Sequence, residues 1–316
     1  MSRASKLLAA VAVIATTMGG AASTGAALSQ RPRLTQRQKQ RSQPQPAPVA
    51  LPHSVSFREV RGRGLLVSTW VNGVGPFNFA VDTGAGATII SPRVAGAAGV
   101  SINTASAPSI AGLSGAAVAA HDGVIRDIAI GDPQNQLPAK RDVIVSSGLP
   151  PELDGLLDPS DAFGSFGYVI DIPARELSAF DAREEPVTLQ REPSEGAVVQ
   201  WLQQGGSRRP FVRLDSGEQV LLDTGSSLGF AVHDAYARDS RVRASAVYDV
   251  GGSISTRRGN PRTVSIGSLV LRNVPTDVIS GAAAETPALL GLNALRPFRM
   301  RFDPLHRLIE IAPTER

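Results

Sequence analysis

The chain has 316 residues, is 42% hydrophobic and contains 31 Gly, 23 Pro and no Cys, which suits a turn-rich β fold better than a helical bundle. The absence of Cys excludes a disulfide framework, a thiolate metal site, a cysteine nucleophile and a cysteine lipid anchor. The formal charge of +4 is a property of the first 52 residues, which carry seven basic and no acidic side chains; the other 25 basic residues face 28 acids, leaving a body near −3.

Arg3 and Lys6 precede an apolar stretch from Leu7 to Met18 and then the small residues Gly19 to Ala27. That order is the layout of a secretory signal peptide, taken as residues 1–29. The apolar core is shorter than the roughly 20 residues a membrane span requires. No integral span is therefore expected after cleavage, and the protein is expected in the periplasm or secreted; an uncleaved N-terminal anchor is the alternative. Residues 30–52, rich in Gln, Arg and Pro, lack apolar periodicity and read as a basic disordered linker. The basic residues show no nucleic-acid-binding motif, so no nucleic-acid partner is expected.

From about His53 the sequence repeats itself, and two lobes are expected, residues 53–185 and 186–316. Each begins with turn residues between β-prone runs: Asn72-Gly73 in the first, Asp215-Ser216-Gly217 in the second. The strand after each turn, Phe77-Asn78-Phe79-Ala80-Val81 or Val220-Leu221-Leu222, runs into Asp-Thr-Gly: Asp82-Thr83-Gly84 and Asp223-Thr224-Gly225. A carboxylate at the end of a buried strand is costly unless it is used.

A glycine tip follows each triplet, 30 residues after Asp82 at Gly112 and 28 after Asp223 at Gly251-Gly252. Val124–Ile130 and Leu269–Val274 read as further strands. An apolar pair comes next, Leu156-Leu157 and Leu289-Leu290, and each half closes on Phe-x4-Asp-x3-Arg, with Phe166, Asp171 and Arg175 matched by Phe298, Asp303 and Arg307. Short helices are expected at Pro92–Ala98 and His233–Ser240. Asp171 and Asp303 precede turn-like segments and are expected to accept turn N–H groups. Tyr248 is expected to pack within a strand.

These residues resemble the aspartic proteases, in particular the retropepsin-like type of bacteria, over about residues 55 to 313. The resemblance implies an all-β acid protease fold of two similar closed-barrel-like lobes related by a pseudo-twofold axis. It implies a catalytic pair, Asp82 and Asp223, that shares one proton and activates a water. Thr83, Gly84, Thr224, Gly225 and Ser226 would support the two loops, and the tips at Gly112, Gly251 and Gly252 would be flaps over the substrate. Peptides or proteins are the implied substrates, with no cofactor, no metal and a monomer containing an internal pseudo-dimer. A protease-like peptide-binding protein of weak or no activity is the alternative function.

Two asymmetries stand out. Ser226 follows the second triplet where Ala85 follows the first, and a hydroxyl beside a carboxylate favours its ionised form. Where the second half has Leu289-Leu290-Gly291, the first has Leu156-Leu157-Asp158. Either a third carboxylate lies near the pair, or the two halves align differently there. A serine-hydrolase reading from Gly225-Ser226-Ser227-Leu228-Gly229, with Asp249 and His306, fails because the alternating strands and helices of that fold are missing. His53, His121, His233 and His306 show no ligand spacing.

Overall fold

The computed structural model describes residues 50–139, 141–150, 152–191, 193–204, 207–233, 244–250, 252–280 and 286–314. The signal peptide, nearly all of the linker, Gly251 and the expected helix beyond His233 lie outside the described residues, as does the side chain of Tyr248. Among the described residues, no helix is long and apolar enough to cross a membrane.

Strands dominate. In the first half, one sheet runs from edge to edge as Arg58–Val60, Gly64–Val71, Val74–Val81, Gly155–Leu157, Ile89–Ile90, Asp142–Ser146, Ala117–Val124 and Ser101–Asn103. The second half has Leu202–Gln204, Ser207–Arg213, Gln219–Asp223, Ala288–Gly291, Phe230–His233, Thr276–Ser280, Gly252–Arg258 and Ala244–Asp249. Both series have the same sense at every step: antiparallel, antiparallel, parallel, antiparallel, parallel, antiparallel, antiparallel. The parallel register aligns Leu157 with Val81 and Leu290 with Leu222. Leu156-Leu157-Asp158 and Leu289-Leu290-Gly291 therefore hold equivalent places.

The halves meet in a third sheet, ordered Val55–Ser56, Glu176–Phe180, Gly167–Asp171, Phe298–Asp303, Leu308–Pro313 and Ala197–Gln200. Its centre pairs the two closing motifs, with Tyr168 opposite Phe302 and Ile170 opposite Met300. Asp171 and Asp303 each accept a backbone N–H in the turn that follows, from Ala174 and His306 respectively, at 2.9 Å. Arg175 and Arg307 end these turns with left-handed φ of 56° and 54°.

The sheets do not close into barrels. In each eight-strand path the outermost strands stay at the edges and never join first to last. The shared sheet does the sealing instead: the main core joins Phe79, Val81 and Leu222 to Tyr168, Ile170 and Phe302, so neither sheet has to roll up to keep its apolar face dry. The expected strand Val124–Ile130 is also interrupted. One strand stops at Val124, and Ile128–Ile130 pairs separately with Thr69–Val71.

The last residues of the triplet strands, Phe79 to Val81 and Val220 to Leu222, are buried on both faces, which explains why each is apolar without a break. Phe79 and Val81 point into the main core, while Ala80 joins Leu66, Ile89 and Leu156 in a smaller cluster. In the second half Val220 and Leu222 enter the main core, and Leu221 packs with Phe211 and Leu289. At the first turn, Asn72 and Gly73 take φ of 53° and 78°, the left-handed pair a two-residue hairpin demands. The Pro92–Ala97 helix starts where Ser91 caps it by accepting the Val94 N–H.

Candidate active site

Each triplet begins where its strand ends. The Asp82 amide donates to Leu157 O at 3.0 Å, so the parallel neighbour holds the loop at its root. Each carboxylate turns back onto its own loop: Asp82 Oδ1 accepts from Gly84 N at 2.8 Å, and Asp223 Oδ1 accepts from Gly225 N at 2.9 Å and Ser226 N at 3.1 Å.

The threonines tie one loop to the other. Thr83 Oγ1 donates to Leu222 O at 2.7 Å, and Thr224 Oγ1 donates to Val81 O at 2.9 Å. In the reverse sense, the Thr224 amide donates to Thr83 Oγ1 at 3.0 Å and the Thr83 amide to Thr224 Oγ1 at 3.2 Å. Both threonines are wholly buried, so these four bonds compete with no solvent.

The glycines set the spacing of the carboxylates. A Cβ added at Gly84 would lie 2.7 Å from Asp223 Cγ, and one at Gly225 would lie 2.3 Å from Asp82 Cγ. Each carboxylate thus occupies the space a side chain on the opposite loop would need. Sequence order leaves these two acids far apart; the fold sets them face to face.

Their titration follows from that placement. Burial is the largest cause raising Asp82, joined by the charge of Asp223 and, more weakly, that of Asp158; the Gly84 amide opposes them, and the net result is a carboxyl held well above its usual range. Burial also raises Asp223, but the amides of Gly225 and Ser226, a hydrogen bond with Asp82 and the cation of Arg209 all pull it back. Both carboxyls are held above their usual range, with more donors turned to Asp223 than to Asp82, and two acids so coupled titrate as a unit.

Residues 67–157 match the family of aspartyl proteases. The matched segment contains Asp82, Thr83, Gly84, the tip at Gly112 and the Leu156-Leu157 pair, and supports an aspartic protease-like family and a hydrolase. It ends before the second triplet. No curated protein matches the chain.

Asp158 lies one residue past the matched segment, and the structure shows what its side chain does. Its carboxylate is buried and caps the short Pro159–Ala162 helix, accepting the Ser160 amide at 2.9 Å. It is thus a third carboxylate whose charge reaches Asp82. Gly291 holds the equivalent place in the second half, and a Cβ there would come within 2.5 Å of Leu228 O. The loop of the first half leaves room for a side chain where that of the second does not.

The Ser226 hydroxyl differs from expectation. It accepts the Leu228 amide at 3.3 Å, whereas the contact to Asp223 comes from the Ser226 backbone. In the first loop the corresponding Ala85 amide points to the Asp82 carbonyl at 3.5 Å. The asymmetry is real, but it lies in the backbone.

The hairpin tips meet. Gly112 N donates to Val250 O at 3.1 Å. Beyond that bond, Leu113 packs on the second-half cluster of Phe211, Leu221 and Ile254, and Val250 packs on the first-half cluster of Leu66, Ala80 and Leu156. Each tip rests an apolar side chain on the opposite half. Gly252 opens the second-half strand beside its tip, while Gly251 falls outside the described residues.

Arg209 is the functional neighbour that the sequence did not disclose. Its side chain runs past Gly86, 3.5 Å from where a Cβ would sit, and its guanidinium stacks 5.4 Å from the Phe211 ring centre. By sheet register it corresponds to Gly64 in the first half, so nothing in the repeat marks it. His306 is engaged by Asp303 at 2.8 Å and takes no part in this site.

Proposed function

We propose that the protein is an aspartic endopeptidase whose Asp82–Asp223 pair forms within one chain, between lobes 53–185 and 186–316 related by a pseudo-twofold axis. The observation that carries this reading is the reciprocal approach of Gly84 to the Asp223 carboxylate and of Gly225 to that of Asp82. The matching strand order and sense of the two halves support it. So does the family match over residues 67–157.

In the proposed reaction Asp82 carries the shared proton and Asp223 is ionised. Asp223 takes a proton from a water, whose oxygen attacks the scissile carbonyl carbon, while Asp82 gives its proton to the carbonyl oxygen. The tetrahedral diol collapses as the proton on Asp223 passes to the amide nitrogen, the C–N bond breaks, and a diol proton returns to the pair. The crossed tips would exclude water and form the roof over an extended peptide. The apolar clusters beneath them favour apolar side chains at the scissile bond. Export by the N-terminal segment to the periplasm or beyond belongs to the same proposal.

Peptide-library cleavage by the purified residue 50–316 chain, with and without a pepstatin-type inhibitor, tests this. Asp82→Asn and Asp223→Asn are each expected to abolish cutting. Activity that survives either substitution would sink the shared pair, and peptide binding without cleavage in the unsubstituted chain would favour a binding protein.

A further inference from the structure

A cavity of about 250 Å³ opens where the two halves join, lined by Gly164, Ser165, Trp201, Gln203, Pro304 and Leu305 together with three arginines, Arg183, Arg208 and Arg307. Among the described residues, no acidic one lines it. Among the described residues, none of the three guanidiniums lies within 4.0 Å of a carboxylate oxygen. The nearby carboxylate of Asp303 is saturated: it accepts the amides of Val187, Leu305 and His306 and the His306 ring. Asp181 holds the Arg183 amide rather than its side chain.

The backbone fixes this arrangement from three directions. Arg307 stands in the left-handed turn after Asp303, and its carbonyl accepts the Trp201 amide at 2.8 Å. Trp201 is buried, and its indole N–H is spent on Arg209 O at 3.0 Å, which sets the ring as one wall. Arg208 crosses from the second half to the first, donating through Nη1 to Ser160 O at 3.3 Å and keeping its other donors free of a carboxylate. Three like charges around one concavity repel one another, and an anion relieves that repulsion. Guanidinium forks match the paired oxygens of a phosphate group.

We propose that this cavity is an oxyanion site that takes a phosphate group, separate from the Asp82–Asp223 cleft and independent of peptide cleavage. The cavity admits a phosphate or pyrophosphate, or a phosphate monoester displayed on a lipid surface.

Two arms separate the sources. In one, the purified protein is titrated with inorganic pyrophosphate at constant ionic strength, followed by calorimetry and tryptophan fluorescence. In the other, it is mixed with neutral vesicles with and without phosphatidic acid. Saturable binding is expected in at least one arm, weakened about tenfold or more by Arg183→Gln and by Arg208→Gln. Arg208→Lys should recover part of the loss, and Arg272→Gln, outside the cavity, should bind as the unsubstituted protein does. Absence of binding in both arms, or equal weakening by Arg272→Gln, would overturn the site. Circular dichroism of each variant separates lost binding from lost folding.

Discussion

Thr83 and Thr224 each donate a hydroxyl across the seam to the strand that carries the other's aspartate: Thr83 to Leu222 O at 2.7 Å, Thr224 to Val81 O at 2.9 Å. Each hydroxyl also accepts the other threonine's amide. The two loops are thereby locked as one unit, and the carboxylates inherit their separation from that lock. Replacing either threonine strands buried donors and acceptors on both sides. Thr83→Val, nearly the same shape, should cost about 1–3 kcal/mol, and Thr83→Ser should retain most stability. Denaturant unfolding of the two variants reads the difference.

Gly225→Ala tests the facing geometry. Its Cβ would lie 2.3 Å from Asp82 Cγ, so the loops must separate. Peptide cleavage should be lost and stability should fall by about 1–3 kcal/mol. Full activity in this variant would show that the carboxylates do not face each other as described.

The raised carboxyls make a stability prediction with a definite sign. Both Asp82 and Asp223 have folded-state pKa values above the ordinary one. Their contribution is therefore fully present below the unfolded carboxyl pKa and lost as pH rises through the raised folded values. The thermal midpoint should fall across that interval. Asp82→Asn removes the more strongly raised group, so its curve should be flatter and its stability at neutral pH higher, by roughly 2–4 °C for each kcal/mol gained. A steeper curve for Asp82→Asn would contradict the assignment.

Asp158 should tune the pair from behind. Asn in its place keeps an oxygen for the Ser160 amide but removes the charge that raises Asp82. The alkaline limb of the cleavage profile for Asp158→Asn should move to lower pH with little loss of stability. Asp158→Ala should shift the profile likewise and cost about 1 kcal/mol more through the lost cap. Matching pH–rate profiles for Asp158→Asn and the unsubstituted protein would remove Asp158 from this role.

Ser226→Ala should leave the pH–rate profile nearly unchanged, because the Asp223 contact is made by the backbone amide. It loses only the acceptor for Leu228 N, at a cost of about 1 kcal/mol. A displaced acid limb would return the role to the hydroxyl.

Much of the site was legible because its signals are local. An apolar run ending in Asp-Thr-Gly needs only its own neighbours to be recognised, and Asn72-Gly73 announces its turn because these two residue types tolerate positive φ. Asp158 was visible as a break in the repeat, yet its meaning depended on the loop opposite it, which is roomier than the one that confines Gly291. Arg209 left no mark, since its counterpart Gly64 shares none of its chemistry. The direction of the Ser226 hydroxyl was not legible, because its rotamer turns it to the Leu228 amide while the backbone amide of the same residue serves Asp223. The closed barrels that the resemblance implies do not form, because a third sheet covers the apolar faces.

By itself the sequence determined the duplicated β architecture, the two carboxylates and the turns and caps that deliver them, since each rests on contacts within a few residues. Only the tertiary structure decided that the two loops meet, how unequally their carboxylates are surrounded and how the tips cross. Those outcomes depend on residues up to 143 positions apart, where a few tenths of an ångström in backbone approach and the loss of solvent around a charge outweigh any local preference.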